Sequence, residues 1–193
     1  MQPTSTSLLD RLRDALPDSP DWARLHGVYL PLIKYWLTRI GGTGQHGDDL
    51  AQEILLVVVR ELPQFQRQRE GSFRAWLRQI TVNRCRAFFK SRQRQPAALG
   101  GREDDILADL QDPNSELALQ WDQDHDRHVM QHLLQQVKGD FEPATWEAFT
   151  RFALQGQPAA AVAAELRMTE NAVLLAKSRI LKRLREEAGD ILD

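Results

Sequence analysis

Apolar residues recur every three to four positions along much of the chain, which is the spacing of helices that bury one face. A helix is predicted from Ser19, a hydroxyl N-cap followed by proline, to about Ile40. A short helix ending at Pro17 precedes it, and Pro31 predicts a bend or break inside it. Its predicted core positions are Trp22, Leu25, Tyr29, Leu32, Ile33, Trp36, Leu37 and Ile40.

Two more helices are predicted after a glycine-rich loop. Asp48 is the expected N-cap of the first, and Pro63 ends it. The second begins at Ser72, after Gly71, and runs to about Gln93. The inward positions of the first helix are predicted to be Leu50, Ile54, Val57, Val58 and Leu62.

The opposite side of the first of these two helices mixes polar and apolar residues. At 100° per residue it collects Gln52, Glu53, Leu56, Val59 and Arg60. Such a face suits docking on another helix. The alternative is a helix that is buried on most sides, since surplus apolar residues usually belong to a core.

Charge is distributed unevenly along the chain, although the formal net charge is only −2. Residues 60–94 hold ten Lys and Arg against two Glu, a net charge of +8, whereas residues 103–126 hold nine acids and no Lys or Arg. Cations interleaved with Phe73, Trp76, Phe88 and Phe89 suit single-stranded nucleic acid, with phosphates on arginine and bases on rings. The alternative is a solvated basic face.

Residues 95–113 are predicted to be a flexible linker because they combine Pro96, Gly100, Gly101 and acids. A helix then runs from about Asn114 to Lys138. It contains His125, His128 and His132, whose spacing places them near one face, but without further ligands we predict no metal site and no other cofactor.

The C-terminal part has the pattern of a helix-turn-helix. A helix begins at Glu142 and Pro143, an alanine-rich helix spans 158–166, and a turn leads to Thr169, the N-cap of a final helix running to about Glu187. The buried residues of the final helix are predicted to be Val173, Ala176, Ile180 and Leu184. The polar and basic outer face suits the major groove and its phosphates, and an ordinary helical hairpin is the alternative.

Single features exclude several classes of protein. One cysteine, Cys85, rules out an internal disulfide and favours a packing role. We expect a cytoplasmic protein without a membrane segment, because the N-terminus is polar and no apolar run approaches transmembrane length. No nucleophile and base or phosphate-binding loop is apparent, so an enzyme is not predicted.

The segments D-D-L-A-Q-E and F-R-A-W-L-R-Q-I-T-V-N-R resemble region 2 of bacterial sigma factors of the sigma-70 family, and the short chain points to the extracytoplasmic function class. The resemblance implies docking on the β′ clamp helices of core RNA polymerase through Asp49, Gln52, Glu53, Leu56, Val59 and Arg60. It also implies binding and melting of the −10 promoter element, with one base flipped into a pocket near residues 65–76. The implied −10 residues are Phe65, Arg67, Phe73, Arg74, Trp76, Arg78, Asn83 and Arg84.

The C-terminal part resembles region 4 of the same family, which implies binding to the −35 element and to the polymerase β flap. The implied −35 residues are Thr169, Asn171, Lys177, Ser178, Arg179 and Lys182. The chain departs from the family at Ala87, where aspartate is common, and in the spacing from Val173 to the K-S-R triplet. The expected domains are residues 1–94 and 114–193.

The resulting prediction is an all-α, two-domain sigma factor that joins the nucleoid when it is part of holoenzyme, with an anti-sigma factor left open as a further partner. The alternative is a stand-alone helix-turn-helix regulator that never contacts polymerase.

Overall fold

The computed structural model describes residues 8–13, 15, 19–66, 71–93 and 102–191, and the regular secondary structure of these residues is helical, without a strand. The prediction of an all-α protein is therefore confirmed for this part of the chain. Two compact units divide after Val129, and we call them the N-terminal and the C-terminal unit. The helices are α1 (Leu8–Arg13), α2 (Pro20–Ile40), α3 (Gly47–Glu61), α4 (Ser72–Gln93), α5 (Arg102–Gln111), α6 (Glu116–Lys138), α7 (Pro143–Phe149), α8 (Ala159–Leu166) and α9 (Glu170–Ile191).

Helix α2 begins as its sequence predicts. The Ser19 hydroxyl accepts a hydrogen bond from the backbone N–H of Asp21 at 3.3 Å, and Pro20 occupies the first turn. A bend or a break was predicted at Pro31; the helix continues through this residue, so a break is wrong, and a bend stays a prediction. The predicted core stripe is buried from Leu25 onward, whereas Trp22 is half-buried.

Helices α3 and α4 pack on each other and α3 also packs on α2. Helix α3 begins at Gly47, so Asp48 lies in its first turn and is not its N-cap; its carboxylate pairs with the Lys34 ammonium at 2.9 Å. A short 3-10 turn containing Pro63 follows α3. Gly71, at φ +78°, leads into α4, which begins at Ser72 as predicted.

Helix α5 occupies much of the stretch predicted as a flexible linker, and for residues 102–111 that prediction is wrong. Leu107 and Leu110, one helical turn apart, are fully buried, and α5 packs on α4. Two leucines on one face give this acidic segment enough apolar surface to order it against the basic helix.

The first half of α6 belongs to the N-terminal unit. The indole rings of Trp36 and Trp121 are both fully buried, with centroids 5.0 Å apart. His128 Nε2 lies 2.6 Å from the carbonyl oxygen of Val28. These contacts place the division between the units after Val129, C-terminal to the predicted boundary at residues 95–113.

The C-terminal unit has a small core built from α7, α8 and α9, which consists of Ala148, Val162, Ala163, Val173 and Ala176. Five residues of π-helix follow α7, and Arg167 ends α8 in the left-handed conformation at φ +53°. The turn from Arg167 to Thr169 then leads into α9, as the sequence predicts.

Candidate protein and nucleic-acid interfaces

The outer face of α3 is exposed, so the helix is not buried on most sides, and docking on another helix stays a prediction. Asp49, Gln52, Glu53 and Arg60 are exposed, and Leu56 is 66% exposed. Val59 is half-buried. Because the inward side buries Leu50, Ile54 and Val58, the helix uses one face for the core and presents a mixed polar and apolar face outward.

An aromatic cleft lies where the chain passes from α3 toward α4. The rings of Phe65 and Trp76 are half-buried and 4.8 Å apart, and Phe73 packs beneath them with its centroid 5.5 Å from that of Trp76. A cavity of about 440 Å³ is lined by Arg60, Glu61, Gln64, Phe65 and Trp76. Exposed ring faces beside amide and charged groups can stack on a nucleobase and hydrogen-bond its edge.

The basic run on α4 is partly neutralised by acids of the chain itself. Arg78 is only 7% exposed; its Nη1 donates to Asp122 Oδ1 at 2.8 Å and to the Ala118 carbonyl at 3.2 Å. Arg74 Nη1 donates to Asp126 Oδ1 at 3.1 Å. The hydrogen bond from His125, together with the charge of Arg74, lowers the pKa of Asp126.

Phe73 and Arg78 therefore do not present their side chains at the surface. Both were expected to contact DNA, but the packing of α4 against the Tyr29 ring and against Asp122 buries them. Phe73 packs against the rings of Phe65 and Trp76, and Arg78 links α4 to α6.

The remaining candidates on α4 are accessible to different extents. Asn83 is exposed and its Oδ1 accepts a hydrogen bond from Gln79 at 2.9 Å. Arg84 is half-buried and its Nη2 donates to Glu53 Oε2 at 2.5 Å, which links the outer face of α3 to the basic helix. Arg67 lies outside the described residues.

The predicted −35 residues share α9 but not one orientation. The Thr169 hydroxyl accepts a hydrogen bond from the Ala172 N–H at 3.1 Å and so caps the helix, as predicted. The Lys177 ammonium lies 5.2 Å from the centre of the Phe152 ring, against its own unit. All six residues are exposed, Thr169 and Lys177 as well as Asn171, Ser178, Arg179 and Lys182.

His125 and Cys85 are buried among packed side chains. His125 is buried and stacks on Tyr29 at 5.8 Å, and among the described residues no group of three or more His, Cys, Asp and Glu side chains could hold a metal ion. Burial raises the pKa of the Cys85 thiol to about 12, so the thiol stays protonated near neutral pH. No helix within the described ranges combines the length and apolar character that crossing a membrane requires.

The acidic partners of the basic helix form ion pairs that sequence reasoning did not assign. The signal was present, since a −9 stretch follows a +8 stretch in the chain. Spacing along the chain does not say that Asp122 and Asp126 meet Arg78 and Arg74, because this pairing depends on how α6 returns to α4.

The described residues of the N-terminal unit thus combine an exposed mixed face on α3 with an aromatic cleft at Phe65 and Trp76. Residues 25–95 match the family model for Sigma-70 region 2. The match covers 71 of the 193 residues. A search of curated proteins and a search of solved structures each found no match.

Proposed function

We propose that this chain is a sigma factor of the extracytoplasmic function class that directs core RNA polymerase to promoters with a particular −10 and −35 element. The observation that carries the proposal is the exposed outer face of α3, which lies within the region 2 match and is linked to the basic helix through Glu53 and Arg84. A stand-alone regulator would have no use for this face, and the match to region 2 argues against that alternative.

Polymerase docking is assigned to Asp49, Gln52, Glu53, Leu56, Val59 and Arg60. Leu56 is the apolar centre of this face, and exposed polar side chains surround it. A largely exposed leucine within a polar rim has the composition of a small helix-docking site. The proposed target is the β′ clamp helices.

Binding of the −10 element is assigned to the aromatic cleft and to the accessible cations around it. One unpaired base would stack on the rings of Phe65 or Trp76 inside the cavity, and Arg84 would hold a neighbouring phosphate. Stacking of this kind contributes about 1–3 kcal/mol per base and captures the melted strand.

Binding of the −35 element is assigned to α9, with α8 and α9 acting as a helix-turn-helix of region 4 type that also contacts the β flap. A short helix, a three-residue turn and a longer helix with an exposed polar face support this assignment. As a sigma factor the protein would act in the cytoplasm, at the nucleoid when in holoenzyme.

The test is copurification of the tagged chain with core polymerase. The double variant Gln52→Ala, Glu53→Ala should bind core polymerase more weakly and keep the helicity of the parent, because both residues are exposed. The matched control is Asp104→Ala with Asp105→Ala, two exposed polar residues on α5. Equal recovery of polymerase by both double variants would contradict the docking assignment.

A further inference from the structure

The outward side of α9 carries two large apolar side chains among its polar residues. Leu174 and Leu175 are 48% and 44% exposed and lie in the second turn of the helix. The buried side of the same helix is formed by Val173, Ala176 and Ile180. Neither leucine is therefore part of the core of the C-terminal unit.

Leu175 lies within the stripe of polar residues that is proposed to face DNA. With 3.6 residues per turn, it is offset by about 40° from Asn171 and by about 60° from Ser178, so the three side chains are neighbours on one face. All three are exposed. Leu174 lies at the edge of this stripe.

The major groove offers a match for such a stripe. The C5-methyl group of thymine is an apolar feature of its floor, and asparagine can make two hydrogen bonds to adenine N6 and N7. We infer that Leu175 reads a thymine methyl group in the −35 element, beside an adenine read by Asn171. This inference rests on the proposed function of α9.

Leu175 would then be a residue that determines promoter sequence. Lys182, farther along the same face, suits a phosphate, and phosphate contacts position a protein without reading sequence. An apolar contact with a methyl group distinguishes thymine from the other three bases, so losing the leucine should change specificity as well as affinity.

The experiment compares thymine with uracil, which lacks only that methyl group. Holoenzyme assembled from the full chain first selects its −35 element from a randomised promoter library, and each thymine of that element is then replaced by deoxyuridine. At one position this replacement should lower the affinity of wild-type holoenzyme about four-fold, which corresponds to the free energy of burying roughly one methyl group.

The Leu175→Ala variant should bind the thymine promoter more weakly and should no longer distinguish thymine from uracil there. The matched control is Leu154→Ala, which removes the same atoms from a leucine that is 53% exposed and lies outside α9. This control should keep the four-fold discrimination, and the melting temperatures of both variants should match the wild type.

Three results would overturn the inference while leaving DNA binding by α9 intact. The first is a selected −35 element that contains no thymine. The second is that uracil substitution changes the affinity at none of its thymines. The third is that the Leu175→Ala variant distinguishes thymine from uracil as well as the wild type does. A holoenzyme that selects no −35 element at all would instead overturn the proposed function of α9, and the inference with it.

Discussion

The contact between Arg78 and Asp122 should be worth a measurable part of the stability of the N-terminal unit. In Asp122→Asn the buried guanidinium of Arg78 keeps the Ala118 carbonyl and loses its anionic partner at 2.8 Å. Removing one member of a fully buried pair costs roughly 3–5 kcal/mol. The Asp122 side chain is 31% exposed, so water screens part of the interaction, and we expect a loss of about 2 kcal/mol.

Urea denaturation is the appropriate measurement, followed by circular dichroism and by the fluorescence of the buried Trp36 and Trp121. With a urea dependence of about 2 kcal/mol per molar, the midpoint for the N-terminal unit should fall by about 1 M. The control Asp104→Asn removes an exposed acid of α5 and should change the free energy of unfolding by less than about 0.5 kcal/mol.

A second variant separates an unpaired buried charge from a general packing defect. Arg78→Met combined with Asp122→Asn leaves no charge to bury, so its midpoint should recover much of the way to the wild type. The reasoning is refuted if Asp122→Asn and Asp104→Asn unfold at the same urea concentration, because α6 would then not hold the basic helix through this pair.

Three further outcomes are expected. Lys182→Ala should lower by about one unit the slope of the logarithm of −35 affinity against the logarithm of salt concentration, because one phosphate contact is lost. Lys177→Ala is the control and should keep the wild-type slope, since the Lys177 ammonium lies against its own unit. Equal slopes for the two variants would mean that Lys182 does not contact DNA. Trp76→Ala, once shown to be folded, should form closed complexes but open the −10 element poorly, and normal permanganate reactivity of −10 thymines would assign this tryptophan to the core alone. The depressed pKa of Asp126 contributes stability that is present above the ordinary aspartate pKa of 3.8 and is lost as the pH falls through the folded-state value. Asp126→Asn should therefore reduce the difference in stability between pH 6 and pH 3, and parallel stability curves for variant and wild type would contradict this.

Local sequence signals predicted the helices well, because the groups that start and end a helix are close in the chain. Ser19, Ser72 and Thr169 stand at or immediately before the first residue of α2, α4 and α9. The N-cap of α3 is His46, two residues before the predicted Asp48, because Gly47 already adopts the helical conformation. Pro31 is tolerated inside α2, although the missing N–H predicted a bend or a break.

The sequence could not decide which faces are covered. The outer residues of α3 have the same composition whether they meet solvent or a neighbouring helix, and only the packing of the other helices leaves Leu56 exposed. One local signal indicated that residues 102–111 form a helix, namely the spacing of Leu107 and Leu110 on one helical face. The high density of acids in this segment favoured a flexible linker instead.

Because acids of α6 neutralise part of the +8 run on α4, this run should contribute less to DNA affinity than its charge suggests. A cation that already holds a carboxylate must be separated from it before a phosphate can take its place, so it releases fewer counterions and contributes less to affinity. Arg74 and Arg78 are in this position near the start of α4, and Arg84 is paired with Glu53 in its middle. The −10 interaction should therefore depend on the aromatic cleft more, and on salt less, than a count of positive residues implies.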